Sequence, residues 1–80
     1  MSINVLFFAR YGETIGLDSL EMEGDFATVD AVRQALVGDP GFDVLNETSL
    51  MCARNQEMCS VDEPLEAGDE VAFFPPVTGG

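Results

Sequence analysis

The sequence predicts an α+β roll, a mixed sheet with one main helix across one face. Three observations predict it. β-branched and aromatic runs stand near both ends of the chain, at 3–8 and 71–74. One strong amphipathic helix signal lies between the second strand-like run and the third. The last strand-like run is stopped by Pro75-Pro76, because proline has no N–H to give to a ladder.

The elements follow in order. Ile3-Asn4-Val5-Leu6-Phe7-Phe8 reads as a strand, with Ile3, Val5 and Phe7 on one face and Leu6 and Phe8 on the other. Apolar residues on both faces point to a central strand, or to one whose second face meets a partner. Ala9 to Gly16 reads as a helical turn ending at Gly16. Residues 18–23 alternate, Leu20 and Met22 against Ser19, Glu21 and Glu23, as a half-buried strand does. Their spacing suggests antiparallel pairing with the first strand. Thr28 is a good N-cap, and Asp30 falls in the first turn, where the helix dipole favours an acid. Val29, Val32, Ala35 and Leu36 are read as one apolar stripe, and Gly38 with Asp39-Pro40-Gly41 as the stop. Residues 42–48 form a connection with a short turn about Val44 and Leu45. Asn46-Glu47-Thr48 matches a glycosylation sequon, but no secretion signal accompanies it.

Ser49 to Val61 reads as a hairpin about Asn55-Gln56. A tight turn there sets Cys52 opposite Cys59. Met51, Ala53 and Met58 take the other face. The two cysteines admit a redox or metal reading, but without histidine they complete no zinc site, and their spacing is not Cys-x-x-Cys. The reading preferred is two small buried thiols that stay reduced in cytosol. Gly68-Asp69 makes a bend before the last strand, where Val71 and Phe73 face the helix and Ala72 and Phe74 face away.

Strand, strand, helix, strand, strand, strand is the order of the β-grasp roll. If the first and last strands are central neighbours, Phe8, Met58 and Phe74 gather on the sheet face away from the helix. Such a group reads as a binding patch, against ordinary scattered surface hydrophobes.

Eighty residues make one domain with a small core. Residues 1–74 are expected to fold, and 75–80 to form an extended, flexible tail. The prolines keep Pro75, Pro76, Val77, Thr78, Gly79 and Gly80 from returning to the sheet, and the glycines keep the tip slim. Six extended residues reach at most ~20 Å, enough to enter a narrow pocket. Fifteen acids, three arginines and no lysine give a net charge of −12, which repels nucleic acid and anionic membranes. The excess acid fits a basic partner, a plainly solvated surface, or a salt-adapted source. Lacking histidine and lysine, the chain has neither the commonest general base nor a Schiff-base amine, which argues against an unaided catalyst. No run is apolar enough to span a bilayer, so a soluble cytoplasmic protein is expected.

Over its whole length the chain resembles the MoaD family of ubiquitin-like sulfur carriers, the small subunits of molybdopterin synthase. The resemblance is carried by Val5-Leu6-Phe7-Phe8-Ala9, Thr28-Val29 with Arg33-Gln34, Asn55-Gln56 and, most specifically, Gly68-Asp69-Glu70-Val71-Ala72-Phe73-Phe74-Pro75-Pro76-Val77-Thr78-Gly79-Gly80. Related thiamine-pathway carriers also end in Gly-Gly but usually lack the Phe-Phe-Pro-Pro lead-in. The chain departs from a typical member in lacking lysine and in its cysteines.

The resemblance implies a two-stage cycle. A ubiquitin-activating-type adenylyltransferase uses ATP to adenylate the Gly80 carboxylate, and sulfur from a persulfide donor replaces AMP to leave a thiocarboxylate. The carrier then docks on the large synthase subunit through Phe8, Met58 and Phe74 and inserts residues 75–79. Its sulfur passes to cyclic pyranopterin monophosphate, and two transfers build the dithiolene. The resemblance further implies a heterotetramer, no metal or cofactor bound by this chain, and a non-catalytic role within molybdenum cofactor biosynthesis. A ubiquitin-like protein modifier, a carrier for thiamine or tRNA thiolation, and a plain interaction domain with an inert tail are the alternatives.

Overall fold

The computed structural model describes residues 1–76. The chain runs β1 (Ser2–Phe7), α1 (Arg10–Ile15), β2 (Ser19–Glu23), α2 (Val29–Val37), a single 3-10 turn (Asp43–Asn46), β3 (Met51–Arg54), β4 (Glu57–Cys59) and β5 (Glu70–Phe74). The five strands form one sheet in the order β2-β1-β5-β3-β4. β1 and β5 are parallel, and the other neighbours are antiparallel. This is the mixed sheet expected, with the last strand at its centre and α2 across one face.

Period-2 alternation decides the faces. Ile3, Val5 and Phe7 of β1 and Val71 and Phe73 of β5 are buried against Val29, Val32 and Leu36 of α2. Tyr11, Leu45, Cys52 and Leu65 close this core. Ala35, read as part of the α2 stripe, is exposed instead. At 3.6 residues per turn it sits roughly 90° from the centre of the arc formed by Val29, Val32 and Leu36, and its single methyl is too short to reach back. Val37 packs against the core from the stripe's edge.

The start of α2 shows how the fold meets its own polar needs. The first turn of a helix leaves N–H groups without partners. Here Val29 N–H donates to the Glu63 carbonyl and Asp30 N–H to the Val61 carbonyl. Ala31 N–H donates to Thr28 Oγ1 at 3.2 Å. The 61–65 loop is thereby fixed to the helix, and Pro64 pairs with Thr28 across an isolated bridge. Thr28→Ala should cost about 1 kcal/mol, the usual value of a threonine N-cap. Urea denaturation checks this, and an unchanged midpoint would mean that the loop carbonyls suffice.

The hairpin is tight. Asn55 and Gln56 both take positive φ, 50° and 71°, as a two-residue type I′ turn requires. Cys52 accordingly stands opposite Cys59, and Ala53 opposite Met58.

Candidate functional site: an aromatic groove where the last strand ends

Among the described residues no helix lies over the sheet face away from α2. The centre of that face is floored by Ala53 and Ala72, which are cross-strand partners on β3 and β5. Their small side chains leave a depression between larger neighbours. Phe8 and Phe74 form one wall with rings stacked 4.7 Å apart and only 6° from parallel. Leu6 and Met58 complete an apolar groove of about 320 Å³, with Gln56 and Glu70 at its margin. Phe8 is 41% exposed and Met58 58% exposed. Large apolar groups held this open to solvent around one depression are unlike scattered surface hydrophobes. The three positions singled out from sequence are therefore neighbours in space.

Backbone geometry explains why Phe8 sits there. Phe8 N–H still donates to the Phe73 carbonyl, but the next residue, Ala9, has φ 54° and ψ −135°. That region suits glycine and strains an alanine, at a cost of order 1–3 kcal/mol. The chain turns sharply, Tyr11 N–H reaches back to the Phe8 carbonyl at 3.1 Å, and α1 begins. Phe8 is left at the rim beside Phe74, the last ladder residue of β5. Pro75 and Pro76 follow, both half-buried. Val77, Thr78, Gly79 and Gly80, the tip on which the expected chemistry depends, lie outside the described residues.

Two polar clusters hold this framework, and sequence reading missed both. At the other end of β5, Asp69 is 7% exposed. Its carboxylate accepts from Arg54 Nε at 2.8 Å, Asn55 Nδ2 at 3.0 Å and Glu66 N–H at 2.7 Å. Asn55 Oδ1 in turn accepts from Glu70 N–H at 2.9 Å. The hairpin turn is thus fastened to the start of the central strand, which sets the groove floor. Burial pushes the Asp69 carboxyl up, but the three donors outweigh it and hold the pKa below the ordinary carboxylate value. A depressed folded-state pKa gives stability that is present above the unfolded pKa and is lost as pH falls through the folded one. Asp69→Ala should therefore cost about 1–3 kcal/mol near pH 7, the cost of stranding such donors. The gap to the parent chain should narrow on acidification. Urea midpoints at several pH values test it, and a pH-independent gap would contradict it.

In the second cluster Tyr11 OH donates to Glu47 Oε1 at 2.6 Å, and Arg10 Nη2 reaches both Glu47 oxygens at 2.9 Å. The Arg10 guanidinium also lies over the Tyr11 ring, 5.4 Å from its centroid. Hydrogen bonds from Tyr11 and then Arg10 hold the Glu47 carboxyl below its usual value, and burial with the Glu47 bond keeps the phenol protonated. The middle residue of the sequon is thus an anchor for α1.

The cysteines are free, Cys52 buried and Cys59 half-buried. Burial pushes the Cys52 thiol up to about 12 and raises that of Cys59 as well. Among the described residues no three His, Cys, Asp or Glu side chains converge to hold a metal ion, and no helix is long and apolar enough to cross a membrane.

Comparison with known proteins places these features in a family. Residues 5–80 match the ThiS family. The molybdopterin synthase sulfur carrier subunit of Escherichia coli (strain K12) is 51% identical over 80 residues, spanning 98% of this chain and 99% of that protein. Its counterpart in Haemophilus influenzae is 48% identical over 80 residues, with the same coverage. Among solved structures, SAMP1 from Haloferax volcanii superposes with a TM-score of 0.80 at 32% identity, each chain covered in full.

Proposed function

The chain belongs to the ThiS family, and on that premise we propose that it is the sulfur carrier subunit of a molybdopterin synthase. The observation that carries this reading is identity of about one half to two such carriers over nearly their full length. The family match also runs through Gly80. The aromatic groove at the end of β5 supports it, since a carrier needs a docking face beside its reactive end.

In this reading the body binds and the tip reacts. The Gly80 carboxylate, with a pKa of about 3.3–3.7, is ionised near neutrality. On a ubiquitin-activating-type adenylyltransferase it attacks the α-phosphate of ATP, and pyrophosphate leaves. The outer sulfur of a donor persulfide then attacks the acyl carbonyl, and AMP leaves. A second thiol attacks the donor-side sulfur of the resulting acyl disulfide, a donor disulfide forms, and the S–S bond breaks to free the thiocarboxylate. Glycine at the last two positions offers the least steric cover to either approach. The thiocarboxylated chain next docks on the large synthase subunit through Phe8, Met58 and Phe74. Pro75 to Gly79 pass into that subunit's active site, where water is kept from the reactive acyl group. Cyclic pyranopterin monophosphate receives the sulfur there, on groups of the large subunit. Two carriers and two large subunits form the working assembly, in the cytoplasm. The chain itself holds no cofactor in this scheme.

Intact mass tests the loading step. After incubation with ATP, a competent activating enzyme and a sulfur donor, the chain should gain the difference between one sulfur and one oxygen, localised to Gly80. No gain, while the same enzyme loads another carrier, would overturn the proposal.

One observation favours a second reading. The solved structure at 32% identity is that of a small archaeal modifier protein. A modifier role would show as an isopeptide between Gly80 and a lysine of another protein. The lower identity of that relative keeps this reading second.

A further inference from the structure

β4 is an edge strand of three residues, and its last residue, Cys59, stands directly opposite Cys52 of β3. The two Sγ atoms are 3.8 Å apart. Opposed residues in an antiparallel ladder have Cα atoms about 4.5–5.5 Å apart, within the roughly 4.4–6.8 Å that a disulfide bridges. The two thiols are unequal. Cys52 is sealed in the core, whereas Cys59 is partly open at the sheet edge. An accessible thiol beside a sheltered one is the arrangement of an entry sulfur and a resolving sulfur.

We propose that Cys52 and Cys59 are a dithiol site for exchange with a low-molecular-weight disulfide, closing to a cross-strand disulfide that staples β4 to β3. With oxidised glutathione as the reagent, the Cys59 thiolate attacks one of its sulfurs. A mixed disulfide forms, the glutathione S–S bond breaks, and one glutathione leaves as a thiolate that takes up a proton. Cys52 then loses its proton and attacks Cys59 Sγ. The intramolecular S–S bond forms, the mixed disulfide breaks, and the second glutathione leaves. The protein gives up two electrons and two protons, and both go to the reagent. The outer face of the same hairpin carries Ala53 and Met58, so closure stiffens one side of the aromatic groove. None of this depends on the chemistry at Gly80, so the experiment needs no partner protein.

The purified full chain is incubated in mixtures of oxidised and reduced glutathione, quenched in acid, alkylated and weighed intact. Oxidised chain should weigh two hydrogens less, carry neither alkyl group nor glutathione, and revert with dithiothreitol. Its Tm should rise by about 5 °C or more, the effect of closing a short loop in a domain of this size. Cys52→Ser should stop at a stable glutathione adduct on Cys59, and Cys59→Ser should react at least about tenfold more slowly, because Cys52 is buried. If Cys52→Ser fails to fold, the parent chain's mass decides alone. Two alkylatable thiols surviving in the oxidised mixture would overturn the proposal, as would a parent chain halted at the mixed disulfide or bridged only between molecules. An unchanged Tm in the oxidised chain would overturn the staple.

Discussion

Adding a single residue after Gly80 should abolish sulfur loading while leaving the unfolding midpoint and the far-UV circular dichroism unchanged. The addition turns the reactive carboxylate into a neutral amide, which is no nucleophile toward phosphate. It also sets the new carboxylate about 3.3–3.6 Å further along the chain. Catalysis by positioning tolerates far less, since a misplacement of ~1 Å can cost on the order of a hundredfold. The body should not notice. The last ladder pair of β5 is Phe74 with Met51, six positions before the end of the chain. Deleting Gly79 and Gly80 should have the same outcome by removing the tip. Loading by mass after a fixed time with the activating enzyme is the readout. Loading of the extended chain at the parent rate would contradict the terminal-carboxylate mechanism.

The second large effect is on docking. Phe8→Ala and Phe74→Ala should each weaken binding to the large synthase subunit by about 30-fold or more. That is the roughly 2 kcal/mol that an aromatic hot spot carries. The two rings touch each other at 4.7 Å, so their effects should not add, and the double variant should lose less than the product of the singles. Phe8 is the cleaner test because it is already 41% exposed and its truncation should cost the fold little. Phe74 is half-buried at the end of the central strand, so its binding loss is to be compared at matched stability. Leu17, also exposed but away from the groove, serves as the control, and Leu17→Ala should leave the affinity within about twofold. Titration calorimetry with the purified large subunit measures all four. Parent affinity in a folded Phe8→Ala chain would remove the groove from the interface.

What the sequence made legible was whatever local periodicity and turn chemistry govern. Alternation in β1 and β5 named the buried and open faces. Thr28 marked the helix start, and Asn55-Gln56 fixed the hairpin register and with it the pairing of Cys52 and Cys59. The groove was legible only because two such patterns meet. Once β1 and β5 are neighbours, the outward residues Phe8 and Phe74 must stack. Features built from long-range polar pairing were not legible. Asp69 gathers Arg54 and Asn55 from 15 and 14 positions away, and Glu47 is met by Tyr11 from 36. No repeat or turn signal records such pairs. The twist at Ala9 was hidden for another reason, since nothing in an alanine announces a conformation that suits glycine. Ala35 was misplaced because an alanine at the margin of a stripe reads as apolar, whichever way it points.

Single-turnover sulfur transfer tests the central claim most directly. The thiocarboxylated chain, the large subunit and cyclic pyranopterin monophosphate are mixed without ATP or a sulfur donor, and the dithiolene product is quantified against carrier returned to the carboxylate. The carrier reading predicts two chains spent for each molybdopterin formed, and none formed by unloaded chain. A loaded chain that binds the large subunit yet keeps its sulfur, with no product, would contradict it.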